Sequence, residues 1–211
     1  MENLDQIIAT LALTMGVGWA SGINLYAAIV TLGLLSNGGH LELPPELAVV
    51  GSPLVLMAAG LMYCVEFFAD KVPGVDTAWD TLHTFIRIPA GAALAAAAVG
   101  DVSAPVEVAA ALVGGSLATA SHALKAGSRV MINTSPEPFS NWGASIGEDV
   151  VVIAGVWAAL NHPYLFLAML VLFLVLLVWL LPKIIRGIGR VFGFLLRLFR
   201  HDDKPQPPLI S

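Results

Sequence analysis

Charge is scarce in this chain. Asp, Glu, Lys and Arg make up 12% of its 211 residues, about half the share of an ordinary soluble domain. Cysteine is nearly absent: Cys64 stands alone, which excludes an intrachain disulfide. Its place in an apolar run predicts a small packed hydrophobe. No Walker sequence and no dinucleotide fingerprint occurs. His40, His83, His122, His162 and His201 do not follow a metal-ligand spacing. The start, "MENLDQII", is acidic and lacks the basic n-region of a cleaved signal peptide. These absences predict no metal, no other cofactor, no nucleic-acid partner and no catalytic residue.

What is present is apolar and long. The chain is 57% hydrophobic, with a mean hydropathy of +0.83. A helix rising ~1.5 Å per residue needs roughly 20 apolar residues to cross ~30 Å of hydrocarbon. Such runs recur throughout. The reading is all-α: a polytopic membrane helix bundle of about six transmembrane helices, with spans near 8–35, 47–69, 78–100, 105–124, 141–160 and 164–181. The breaks are rich in Gly, Pro, Asn, Asp and Ser, which end helices. The bundle takes up residues 1–182. Residues 183–200, "KIIRGIGRVFGFLLRLFR", place Lys183, Arg186, Arg190, Arg197 and Arg200 on one arc of a helix. That pattern predicts an amphipathic helix on anionic lipid headgroups. Residues 201–211 read as a disordered tail.

Basic residues set the expected orientation. The first, third and fifth connections carry no Lys or Arg. With six spans, all ten basic residues fall on or near one face, the cytoplasmic one by the positive-inside rule. Both termini are then expected in the cytoplasm.

The spans differ in character. "YLFLAMLVLFLVLLVWLL" (164–181) is apolar all round and reads as lipid-facing. The third and fourth are built from Ala, Gly and Ser, with Ala110, Gly114 and Ala118 marking a close-packing face. That composition predicts that these two are central. The first run is too long for one crossing, and "MGVGWASGINLY" makes a break or kink there plausible. "WASGIN" and "WGASIG" look alike, and Trp19, Trp79 and Trp142 are spaced like a repeat of three hairpins. Interfacial preference of Trp accounts for much of that spacing without duplication.

Charge concentrates in "EFFADKVPGVDTAWDTLHTFIRIPAG" (66–91). Asp76 or Thr77 is suited to cap the third span, with Asp80 near the third position of a short capping box. Arg87 lies roughly 15 Å into that helix, where an unpaired charge is costly. Glu66, Glu148 and Asp149 are its candidate partners. Asn24, Glu66, Asp70, His83, Arg87, His122, Glu148 and Asp149 thus form the expected buried polar cluster or pathway. "GASIG" (143–147) matches the G-x-S-x-G expression of hydrolases, but Ser145 begins a membrane helix rather than a strand–turn–helix elbow.

"ASGINLY", the 66–91 segment and "KAGSRVMINTSPEPFSNWGASIGEDV" together resemble the bacterial membrane family called domain of unknown function 4126, over about residues 10–180. The resemblance implies a small multi-pass protein of the bacterial inner membrane and brings no activity with it. Two functions fit the residues. One is a small transporter or channel-like protein, in which a surplus of deep carboxylate binds a proton or cation; so small a bundle is expected to oligomerise. The other is a non-catalytic membrane organiser or partner subunit, in which every deep charge is paired.

Overall fold

Proline, serine and glycine set where the helices start and stop. The computed structural model describes residues 2–39, 42–72, 74–133 and 139–199. Within them lie six helices: α1 (Glu2–Asn37), α2 (Pro53–Ala69), α3 (Val75–Ala98), α4 (Ala104–Ile132), α5 (Phe139–Asn161) and α6 (Pro163–Phe199). Ser52 caps α2, its hydroxyl accepting from Val55 N at 3.4 Å with Pro53 in the first turn, where a missing N–H costs nothing. Gly74 and Gly100 take positive φ (86° and 70°) in the turns before α3 and α4, a conformation open to glycine at no steric cost. The N-cap position of α3 is Gly74 rather than Asp76 or Thr77; Asp76 lies in the first turn, where its carboxylate accepts from Gly74 N (2.9 Å) and Thr77 N (2.6 Å).

α1, α4, α5 and α6 are long and apolar enough to cross a bilayer. α2 has 17 residues, and α3 buries Asp76, Asp80 and Arg87 along one face. α2 to α6 alternate in direction. They define an end where α2 and α6 begin, and an opposite end where α2 stops and α3 starts.

α1 does not run from one end to the other. Asn24 leaves helical geometry (φ −147°, ψ 98°), and the chain reverses there. The first arm runs down α5: Tyr164 donates to Asp5 (2.6 Å), a β-carbon at Gly16 would meet Ala159 at 2.9 Å, and Asn24 reaches Asp149. The second arm runs back up α2. A β-carbon at Gly33 would lie 2.5 Å from Val50 O and 2.7 Å from Leu56, and Asn37 donates to Gly51 O at 2.7 Å. Both ends of α1 therefore lie at the end where α2 and α6 begin. From Asn37 to Asn24 is about 20 Å at 1.5 Å per residue, so the tip sits midway down the bundle. The expected break in the first run is present, and it is a hairpin rather than a kink in a crossing. Asp5 and the last turns of α6 lie at opposite ends. The expectation that both termini share one face assumes a first crossing, and α1 is a hairpin at Asn24 instead.

The hairpin is the buried centre. Ala12, Val17, Ala20, Ala27, Ala28 and Leu32 are each no more than 3% exposed. Backbone that leaves helical geometry at membrane depth is tolerated only where protein surrounds it. α3 and α4 pack on this hairpin rather than forming the centre themselves. Their small residues serve close approach, as predicted: a β-carbon at Gly114 would meet Gly91 O at 2.7 Å and also Ala95, and one at Gly18 would lie 2.6 Å from Gly114 Cα. Trp19 packs edge-on against Phe166 and Phe173, Trp79 stacks on His83, and Trp142 is exposed. Three such different surroundings lend no support to a hairpin repeat.

Cys64 is exposed on the outer face of α2, beside Leu61 and Phe68, so its apolar surroundings are those of the bundle surface and not a core. α6 continues as one helix through Pro182 to Phe199. Over the 183–190 part, Ile184 is buried against Gly127 and Gly187 meets Met131. Lys183 Nζ lies 2.9 Å from the centre of the Trp179 ring, and Arg186 donates to Pro182 O at 3.0 Å. The side chain of Arg197, Arg200, and the 201–211 tail lie outside the described residues.

A buried charge network and its neighbouring carboxylate

Helical spacing lines up the polar side chains before any packing occurs. Glu66 and Asp70, the C-cap of α2, are one turn apart at the end of that helix. Asp76, Asp80, His83 and Arg87 form one stripe on α3, and Ser121, His122, Lys125 and Arg129 another on α4. Asn141, Ser145, Glu148 and Asp149 share a face of α5. These four stripes converge in the half of the bundle below the Asn24 tip.

Arg87 is the deepest cation and is fully buried. It donates to Glu66 Oε1 at 2.6 Å and to Asp80 Oδ1 at 2.8 Å, with His122 Nδ1 at 3.3 Å. Lys125 reaches four carboxylates: Asp70 (3.0 Å), Glu66 (3.2 Å), Glu148 (3.4 Å) and Asp80 (3.6 Å). Arg129 grips Glu148 with two parallel bonds, 2.7 and 3.1 Å, the fork geometry that favours Arg over Lys. It also donates to the carbonyls of Asp70 (3.1 Å) and Asn141 (3.2 Å). Below it, Asn141 donates to Asn133 (2.7 Å), and Asn133 to Asp76 (2.8 Å). Above it, Tyr26 meets His83 Nε2 at 3.1 Å, and Thr84 meets His122 Nε2 at 2.7 Å.

Asp149 stands apart. It takes a hydrogen bond from Asn24 at the hairpin tip (3.0 Å) and one from Tyr63 of α2 (3.1 Å). Asn24 also caps the second arm, its side-chain oxygen accepting from Ala27 N at 2.9 Å. No ion pair reaches Asp149 among the described residues, and it is 7% exposed.

The eight predicted residues therefore divide. Glu66, Asp70, Arg87 and Glu148 are brought together as ion pairs, with His122 against Arg87. Asn24 and Asp149 meet beside them. His83 is close by, but its partners are Tyr26 and Trp79. The expected choice of partners for Arg87 is half correct: it takes Glu66, while Glu148 goes to Arg129.

Asp80, Arg129 and Tyr63 lie outside the expected cluster, whereas Lys125 reaches inward, the one alternative the charge count leaves open for it. Asp80 looked like a capping residue, although its seven-residue spacing from Arg87 already placed both on one face. A fourth span of 105–124 leaves Lys125 and Arg129 in the connection that follows it. α4 continues to Ile132, since paired charges no longer oppose burial. Four carboxylates against three cations leave one negative charge over, and Asp149 adds a second. Glu66 Oε2, Asp70 Oδ1, Asp80 Oδ2 and Arg87 Nε are buried without a hydrogen-bond partner within the protein. Among the described residues, no three His, Cys, Asp or Glu side chains gather so as to hold a metal ion.

A helical bundle with apolar outer faces and an internal charge network is a membrane protein by class. Residues 11–183 match the family described as Domain of unknown function (DUF4126), and the chain belongs to that family. No curated protein and no solved structure matches the chain.

Proposed function

We propose that this protein is a small transporter of the bacterial inner membrane that exchanges a proton or small cation at Asp149. One observation carries the reading: a buried carboxylate at the tip of a re-entrant broken helix, hydrogen-bonded by two neutral partners and, among the described residues, in no ion pair, with Lys71 and Lys125 acting on it only from beyond ion-pair distance. A carboxylate in low dielectric readily changes protonation, and broken helices at mid-membrane are where transporters place coupling ions. The network supplies the polar approach from one side. Above Asn24 the core is mostly apolar, closed by Val17, Ala95, Ala98, Val156 and Ala159, with Thr14 and Ser21 as buried hydroxyls on the hairpin. A channel needs polar lining in both halves, so a site with access from one side at a time fits better. The basic residues lie toward the end where α2 stops, so that end faces the cytoplasm by the positive-inside rule. The amino terminus then faces outward, with α2 to α6 as the crossings. Lys183, Arg186 and Arg190 would meet anionic headgroups on the cytoplasmic leaflet.

The test is proton or cation flux into vesicles carrying the purified protein. Wild type is expected to move charge and Asp149→Asn to lose it, with unchanged monodispersity. The bidentate Arg129–Glu148 pair favours a second reading, a structural network inside a membrane organiser. Zero flux from wild type under imposed pH, Na+ and K+ gradients would favour that reading.

A further inference from the structure

Asp149 is met by a hydrogen-bond donor at each of its oxygens. Asn24 Nδ2 donates to Oδ1 at 3.0 Å, and the Tyr63 hydroxyl donates to Oδ2 at 3.1 Å. The Asn24 amide has one workable orientation, because its side-chain oxygen accepts from Ala27 N at 2.9 Å. Turned over, it would set its NH2 group against that backbone N–H and its oxygen against the carboxylate. Asn24 therefore presents only a donor to Asp149.

Donors on both sides discriminate between cations. A metal cation gives up its water shell only to several oxygen acceptors. Both side chains that touch this carboxylate point hydrogen at it instead. Among the described residues, no three His, Cys, Asp or Glu side chains gather to hold a metal ion. Glu148, next to Asp149 in the chain, has both oxygens on Arg129. The charged groups that act on Asp149 from its surroundings are Glu66 of α2, Lys71 just past that helix and Lys125 of α4. None of them forms an ion pair with it among the described residues. From α1 the facing group is the neutral Asn24, and α6 faces α5 with Phe166, Leu170 and Phe173.

A proton makes a smaller demand, for it needs one lone pair and one acceptor. Oδ1 is unsuited, since Asn24 has no acceptor to turn toward it. Oδ2 is suited, because a phenol hydroxyl can accept as well as donate. With the proton on Oδ2, the acid O–H donates to the Tyr63 oxygen, whose own hydrogen turns away. Asn24 keeps its bond to Oδ1 in both forms.

We propose that Asp149 takes up a proton in preference to Na+ or K+, that the proton binds at Oδ2, and that Tyr63 reverses from donor to acceptor as it does so. The proposal rests on the reading of Asp149 as the exchange site and names the species exchanged.

The experiment is infrared difference spectroscopy on the full chain in lipid, under two changes of buffer. One is a step in pH; the other replaces N-methylglucamine by Na+ or K+ at fixed pH. The pH step is expected to give a protonated-carboxyl C=O band that Asp149→Asn loses. Tyr63→Phe is expected to shift that band to higher frequency, because the acid then lacks its acceptor. That shift assigns the band even where Asp149→Asn is not monodisperse. The Na+ and K+ exchanges are expected to give no band that either variant removes or moves. A metal-induced band lost in Asp149→Asn would mean that carbonyls at the hairpin break serve as ligands. It would overturn the proton assignment while keeping Asp149 as an exchange site. A pH-step spectrum identical in wild type and both variants would also overturn it. The expected bands together with zero flux in vesicles would support the proton site and count against transport alone.

Discussion

The bundle holds itself together differently above and below Asn24. Above the tip, helices touch through glycine and alanine: Gly18 faces Gly114, and Gly114 lies against Gly91 and Ala95. Below it, long charged side chains from four helices interlock. Lipid offers no hydrophobic drive for helix association, so packing and polar pairing remain as the two available forces. This chain uses one in each half. The apolar half is specified by shape, with each contact individually weak. The charged half is specified by complementarity, where losing one partner strands another in low dielectric.

The largest effect should come from stranding. Arg87→Ala leaves Glu66 and Asp80 buried without their closest cation, and a loss of ~3–5 kcal/mol is expected. Unfolding in detergent would read this as a large fall in the midpoint. Adding Glu66→Gln to that variant should recover part of the loss. If both variants melt like wild type, the charged half is not complementary in the way described. Next in size is overpacking of the apolar half. Gly114→Leu forces a side chain against Gly91 O and Ala95, and ~1–3 kcal/mol of destabilisation is expected. Gly60→Ala, where a β-carbon meets nothing within 4 Å, should stay within ~0.5 kcal/mol. Equal behaviour of the two would mean that the Gly/Ala contacts do not hold the upper half.

A smaller effect is expected at the boundary between the halves. Asn24→Ala removes the cap on Ala27 N–H, worth ~1 kcal/mol, and one of the two hydrogen bonds to Asp149. Its stability cost should therefore be modest while its effect on flux is large. A subtler measurement concerns sidedness and no energy at all. In a Cys64→Ala background, cysteines at Asp5 and Arg190 should react with impermeant thiol reagents from opposite faces of the membrane. Reaction from the same face would restore α1 as a simple crossing.

Much of the charged half was legible along the chain. Glu66 and Asp70, or Lys125 and Arg129, are four residues apart, and a helix must place such pairs on one face. Arg87 is too deep to be unpaired, which called for carboxylates nearby. The partner of each charge was not legible, because Asp80 satisfies a capping pattern as well as an ion-pair stripe. Cys64 illustrates the same ambiguity in the apolar parts. In a membrane helix, the core-facing and lipid-facing sides are both apolar, so composition does not separate them.

The sequence by itself determined a helical membrane protein, the positions of most of its breaks, the close-packing face at Ala110, Gly114 and Ala118, and the gathering of basic residues toward one end. Each follows from local chemistry: helix length against bilayer thickness, glycine and proline at turns, and the cost of burying charge. The reversal of α1 at Asn24 was decided only in three dimensions, and with it the meeting of Asn24, Tyr63 and Asp149. A buried hairpin and a straight crossing require the same apolar residues. What separates them is whether the second arm packs along α2 or continues past α5, and that depends on surfaces far apart in the chain.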